Sequence, residues 1–142
     1  MASPLFLDTG YVIALSSPRD RYHDAALQWE RHIRADSVPV VTTRAVQLEI
    51  GAAFSRLAYR AAAAAILQAF DRDAGITVVP LDDDVYGRAL TFFANRPDKE
   101  WSLTDCVSFV VIRDRTIAKA LTTDAHFCQA GFEALLLAQA AP

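Results

Sequence analysis

Two adjoining stretches carry the plan of this chain: Ser102-Leu103-Thr104-Asp105-Cys106-Val107-Ser108-Phe109-Val110-Val111-Ile112-Arg113, and shortly after it Ala118-Lys119-Ala120-Leu121-Thr122-Thr123-Asp124. The first reads as a strongly apolar helix and the second as a short apolar strand over 118–122 that runs out onto an acid. Working outward, the same alternation recurs. Leu5-Phe6-Leu7 is a buried strand ending at Asp8, followed by a short helix from Thr9 to Leu15 that Ser16-Ser17-Pro18 stops. An amphipathic helix begins at Asp20 or His23 and runs to Arg34, with Ala26, Leu27, Trp29, Glu30 and Ile33 at helical spacing. Pro39 to Thr42 is a second strand, and Thr43 to Ala58 and Tyr59 to Asp73 are helices, the latter closed by Gly75 as a C-terminal cap. Ile76 to Leu81 is a third strand, and Asp82-Asp83-Asp84 opens a helix to Asn95 with acids at the positive end of its dipole. A polar loop from Arg96 to Trp101 leads into the apolar helix. After the fourth strand, Ala125 to Ala130 is a helical turn capped by Gly131, and Phe132 to Leu137 is an edge strand. Alternation of this kind implies an α/β fold with a mostly parallel central sheet of four or five strands, covered by helices on both faces. Ligands of such sheets bind beyond the carboxyl ends of the strands.

The bulk numbers fit that reading. The chain has 142 residues, 53% hydrophobic and 22% charged, which suits one globular domain over 1–142 that needs no disulfide or metal staple. Cys106 and Cys128 match no disulfide framework or zinc pattern, no apolar run is long enough to span a membrane, and the start Met1-Ala2-Ser3-Pro4 lacks the basic region of a secretory signal. A cytoplasmic location is expected. The formal charge of −3 speaks at first against a nucleic-acid partner.

Four carboxylates stand out by position: Asp8 and Asp124 at strand ends, Asp105 in the first turn of the apolar helix, and Glu49 inside the helix after the second strand. Each Asp has a plain alternative role. Asp8 and Asp124 can cap the helices that follow them, and Asp105 stands three residues after Ser102, as in a capping box. Glu49 has Ala45, Leu48, Ala52 and Ala53 beside it, an apolar setting for a solvated acid. Together the four change meaning. Two unit charges 4 Å apart repel by about 4 kcal/mol at an effective dielectric of 20. Converging acids therefore take up protons or bind a cation, and an all-oxygen donor set selects Mg²⁺ or Mn²⁺. Such an ion activates water and neutralises phosphoryl oxygens, as in a metal-dependent phosphodiesterase.

These residues resemble the PIN domain family. Phe6-Leu7-Asp8-Thr9-Gly10, Gln47-Leu48-Glu49, Ser102 to Phe109, and Leu121 to Phe127 with Gly131-Phe132 match it in order and spacing over nearly the whole chain, most specifically from Lys99 to Phe132. The size is similar to that of VapC-type toxins of bacterial toxin–antitoxin pairs. The resemblance implies a three-layer α/β/α sandwich and Mg²⁺- or Mn²⁺-dependent endoribonuclease activity that yields 5′-phosphate and 3′-hydroxyl ends. Asp8, Glu49, Asp105 and Asp124 match the acidic quartet as catalytic and metal-binding residues: Asp8 and Asp105 are the leading ligands, and Glu49 and Asp124 complete the shell directly or through water, or position the attacking water. Thr9, Thr104 and Thr123 sit beside those acids to hydrogen-bond them. The resemblance also implies a cognate antitoxin and a homodimer, for which Leu27, Trp29, Phe54, Leu57 and Tyr59 offer apolar surface or serve the core.

RNA held against a negative pocket calls for a basic rim. Arg44, Arg96 and Lys99 are candidates, His126 stands just past a strand end, and Trp101 either stacks on a base or anchors the core. His23 and His32 read as solvated helix residues, which leaves a histidine-pair ribonuclease poorly supported. A non-catalytic PIN-like RNA-binding or scaffold protein is the alternative, and the intact acids weigh against it. A receiver domain with a nucleophilic Asp8 lacks the second acid, since position 10 is Gly10. Setting the four quartet carboxylates aside turns the chain's −3 into +1, so the acidity is that of the pocket.

Overall fold

The computed structural model describes residues 2–138 and 142. Its elements alternate as β1 (Leu5–Leu7), α1 (Thr9–Ser16), α2 (His23–Asp36), β2 (Val40–Thr43), α3 (Arg44–Ala53), α4 (Leu57–Arg72), β3 (Ile76–Val79), α5 (Asp83–Ala94), α6 (Leu103–Asp114), β4 (Lys119–Leu121), α7 (Ala125–Gln129) and β5 (Glu133–Ala134). The strands form one five-stranded sheet in the order β3-β2-β1-β4-β5, every neighbouring pair parallel. Phe6 registers against Val41 on one side and Ala120 on the other, so β1 is the central strand. The chain builds outward from β1 to β3, then returns to lay β4 on the opposite edge of β1. The order thus reverses between β1 and β4, and the crevice at their carboxyl ends is where such sheets bind ligands.

All residues of β1 and β2 are buried. Successive strand residues point to opposite faces, so helices cover both sides of the sheet. The most enclosed helix is α6, with eight consecutive buried residues from Asp105 to Ile112, as its continuous apolar sequence requires. Phe109 of α6 meets Phe127 of α7 edge to face at 5.0 Å and Trp101 at 5.2 Å, and Phe127 reaches Phe6 of β1 at 6.2 Å. This aromatic chain locks α6 and α7 onto the central strand. Phe109 lies one turn beyond Asp105 and Phe127 three residues beyond Asp124, so the same contacts fix the backbones that carry two of the acids.

Several boundaries differ from those the sequence suggests. The helix expected over 43–58 stops at Ala53, and α4 starts at Leu57 behind an extended Arg56. The break lets Phe54 pack edge to face on Tyr59, 6.4 Å away. The third strand ends at Val79 because Pro80 has no N–H to continue the ladder. Gly75 is not a left-handed cap: Asp73 ends α4 in extended conformation, and its carboxylate accepts the Gly75 N–H at 2.8 Å. Gly131 does fill that role after α7, at φ +97. The last strand is confined to Glu133–Ala134, since the N–H groups of Leu137 and Ala138 turn back to the Ala134 carbonyl.

Candidate active site

Asp8 directly follows β1 and stands at the N-cap position of α1, but its side chain caps nothing. It is 6% exposed, and its Oδ2 accepts the Thr122 hydroxyl at 2.7 Å. Burial pushes its carboxyl up to about 7, against the pull of the Thr122 hydroxyl and the Thr9 backbone N–H, and the charges of Glu49 and Asp105 push the same way. This acid is held in the interior among other acids.

Glu49 is half-buried on α3 and accepts the Thr9 hydroxyl in a very short bond. Its neighbours Leu48, Ala52 and Ala53 are exposed, so the apolar setting expected around it comes only from Ala45 on the buried side. Asp105 is 8% exposed and closes a capping box with Ser102, giving and receiving bonds of 3.0 and 3.1 Å. Asp124 caps α7, accepting the His126 N–H at 2.8 Å. The capping role thus holds for Asp105 and Asp124 and fails for Asp8. For the first two it also fixes the carboxylate's position.

The hydrogen bonds link all four acids. Thr9, the residue after Asp8, donates its hydroxyl to Glu49. Thr122 donates to Asp8 and accepts the Asp124 N–H at 3.0 Å, so one hydroxyl bridges the acids at the ends of β1 and β4. Thr122 escaped the sequence reading, which favoured Thr123. The usable signal was strand alternation, which puts Thr122 and Asp124 on one side. Thr123 instead abuts Gly10. A Cβ on Gly10 would lie 2.5 Å from the Thr123 hydroxyl, so the glycine admits the loop that delivers Asp124. Thr104 lines a groove of about 340 Å³ with Glu49, Leu48, Leu81, Tyr86 and Val107.

His126 lies among the acids. Its Nδ1 lies 3.2 Å from Asp105 Oδ2 and 3.4 Å from Asp124 Oδ1, inside the acidic group. Of the two roles open to Trp101, the structure shows the core anchor: it is 4% exposed, donates to Gln129 at 3.0 Å and packs on Phe92 and Phe109, with no free face for a base. Arg96 lies over its ring and forks onto Asp98, which Lys99 also approaches. Arg44 is exposed and paired with Asp71 and Gln47. His23 is not simply solvated, because its ring bonds the Ala14 carbonyl at the end of α1. Burial, helped by the charge of the adjacent Asp105, pushes the Cys106 thiol up to about 11.

Oxygen donors of this kind suit a hard divalent ion, and the buried Asp8 carboxylate has no cationic side chain among its partners to compensate it. A parallel sheet whose switch point is ringed by acids in this way is what the PIN resemblance implies. The chain belongs to that family, whose profile matches residues 5–133. It is 30% identical over 130 residues to the 23S rRNA-specific endonuclease VapC20 of two Mycobacterium tuberculosis strains, covering 90% of this chain and 95% of that protein. The crystal structure of the M. tuberculosis VapC20 sarcin–ricin loop cleaving toxin superposes with a TM-score of 0.77 at 27% identity, again over 90% of this chain and 95% of that one.

Proposed function

We propose that this chain is a divalent-metal-dependent endoribonuclease acting as the toxin of a toxin–antitoxin pair. The observation that carries the reading is the convergence of Asp8, Glu49, Asp105 and Asp124 at the β1/β4 switch point, with Asp8 buried without a countercharge. Asp8, Asp105 and Asp124 would hold a Mg²⁺ or Mn²⁺ ion, with Glu49 beside them. When bound, that ion lowers the pKa of water and offsets charge on phosphoryl oxygens. The protein's own part is positioning. Thr122 and the two capping contacts hold three carboxylates in fixed rotamers, so little reorganisation is left for the reaction. Glu49, held by Thr9 at the half-buried edge, would orient the attacking water and take its proton. Arg44, Arg96 and Lys99 supply positive charge for the RNA backbone, tempered by Asp71 and Asp98.

The substrate class we infer is ribosomal RNA, on the strength of the 23S rRNA-specific relatives. The partners we infer are a cognate antitoxin and a second copy of the chain, in the cytoplasm. Leu57 and Tyr59 fit such contacts, being 89% and 51% exposed, whereas Trp29 is buried in the core. A cleavage assay with Mn²⁺ tests the activity. Asp8→Asn and Asp105→Asn should each lose more than about 100-fold, the upper end of what even outer-shell partners of a metal cost. Metal-dependent cleavage undiminished in both variants would reject the reading.

A further inference from the structure

Resting on the metal-dependent reading above, we propose that His126 is itself a ligand of the catalytic ion, giving the site one nitrogen donor and a leaning toward first-row transition ions. One donor atom each from Asp105, Asp124 and His126 falls within 4.8 Å of the others. His126 Nδ1 stands 3.2 Å from Asp105 Oδ2 and 3.4 Å from Asp124 Oδ1. Neighbouring ligands of an octahedral ion with bonds of 2.0–2.1 Å lie about 3 Å apart, so Nδ1 already stands close to that spacing from both carboxylates.

The imidazole is also held in place from its own backbone. The His126 N–H donates to Asp124 Oδ1 at 2.8 Å, and the ring nitrogen returns to the same oxygen and to the capping-box oxygen of Asp105. Ring and carboxylates therefore come as a unit built by α6 and α7, which Phe109 and Phe127 clamp together. The ring is about one-third exposed, so it faces the open side of the site rather than filling the core. A nitrogen ligand among carboxylates shifts preference from Mg²⁺ toward a transition ion.

The rival explanation is that His126 only donates Nδ1–H to Asp105 and so positions it. The two readings separate spectroscopically. Mn²⁺ is titrated into the full chain and its electron spin echo modulation recorded for the wild type and for His126→Asn, whose amide can donate from the Nδ1 position but offers no imidazole. His23 and His32 are the only other histidines, and they sit on α2. The ligand reading expects ¹⁴N modulation of bound Mn²⁺ in the wild type, its disappearance in His126→Asn, and about ten-fold weaker Mn²⁺ binding in that variant. Bound Mn²⁺ without ¹⁴N modulation, or modulation that persists in His126→Asn, overturns the proposal and leaves the nuclease reading standing. A wild type that binds no Mn²⁺ overturns both.

Discussion

Asp105 in the first turn of α6 and Asp114 at its last residue are the same side chain on one helix, and their surroundings differ at every point. Asp114 is half-exposed and meets Arg88 through two bonds of 2.8 and 2.7 Å, while Arg88 also grips Asp84. That guanidinium holds the Asp114 carboxyl below the usual range and offsets its unfavourable place at the negative end of the helix. Asp105 is buried at the positive end, where the dipole favours it, yet no arginine or lysine meets it: its partners are Ser102 and His126, and its charge bears on Asp8. The contrast separates a carboxylate paired with a guanidinium from one buried beside other acids. The chain had arginines to spare for this end, 12 of them, and the fold spends none there.

The comparison can be broken at either end. The largest effect expected is the loss of more than about 100-fold in Mn²⁺-dependent RNA cleavage for Asp105→Asn, measured beside Asp114→Asn. Equal losses in the two would erase the distinction. A smaller effect is expected where the Asp124 loop meets α1. Gly10→Ala should lower stability by about 1–3 kcal/mol in denaturant melts and reduce cleavage with it, because the new methyl would overlap the Thr123 hydroxyl. The smallest effect belongs to Asp114→Asn itself. Cleavage should stay at the wild-type rate and the melting temperature fall only slightly, since exposed pairs contribute little.

The Asp105 side of this contrast is legible in the sequence, and the Arg88–Asp114 pair is not. The acids beyond Leu5–Leu7 and Lys119–Leu121 can be read because short apolar runs stop at Asp8 and shortly before Asp124. The alternation of those runs with helical periodicity then dictated a parallel sheet. The capping box of Ser102 and Asp105 was equally visible, as a spacing of three. What escaped depends on contacts between segments far apart in the chain. Thr122 reaches Asp8 across 114 positions, and His126 turns into the acids because Phe127 is pulled the other way into the core. Trp101 has the composition of a stacking platform and the position of a core residue, and only the packing of Phe92 and Phe109 decides between them. The break at 54–56 has no strong helix breaker, and its cause is the fold-back of Phe54 onto Tyr59.

If the β1/β4 switch point is a set of acids assembled for a cation, the stability of the protein must depend on Mn²⁺. An unfolded Asp8 loses its proton near 3.8, and the folded one keeps it to about 7. Between those values the native state binds more protons than the unfolded state, so the Asp8 contribution to stability falls as pH rises and the full penalty applies above 7. Its size is on the order of 4 kcal/mol. Asp8→Asn keeps an acceptor for Thr122 and removes the charge. In chelator at pH 8 it should therefore melt above the wild type, with the gap closing as the pH is lowered toward 4. Adding Mn²⁺ at pH 8 should raise the wild-type melting temperature and leave Asp8→Asn nearly unmoved. A wild type whose melting temperature ignores Mn²⁺, and matches Asp8→Asn at pH 8, would contradict the account.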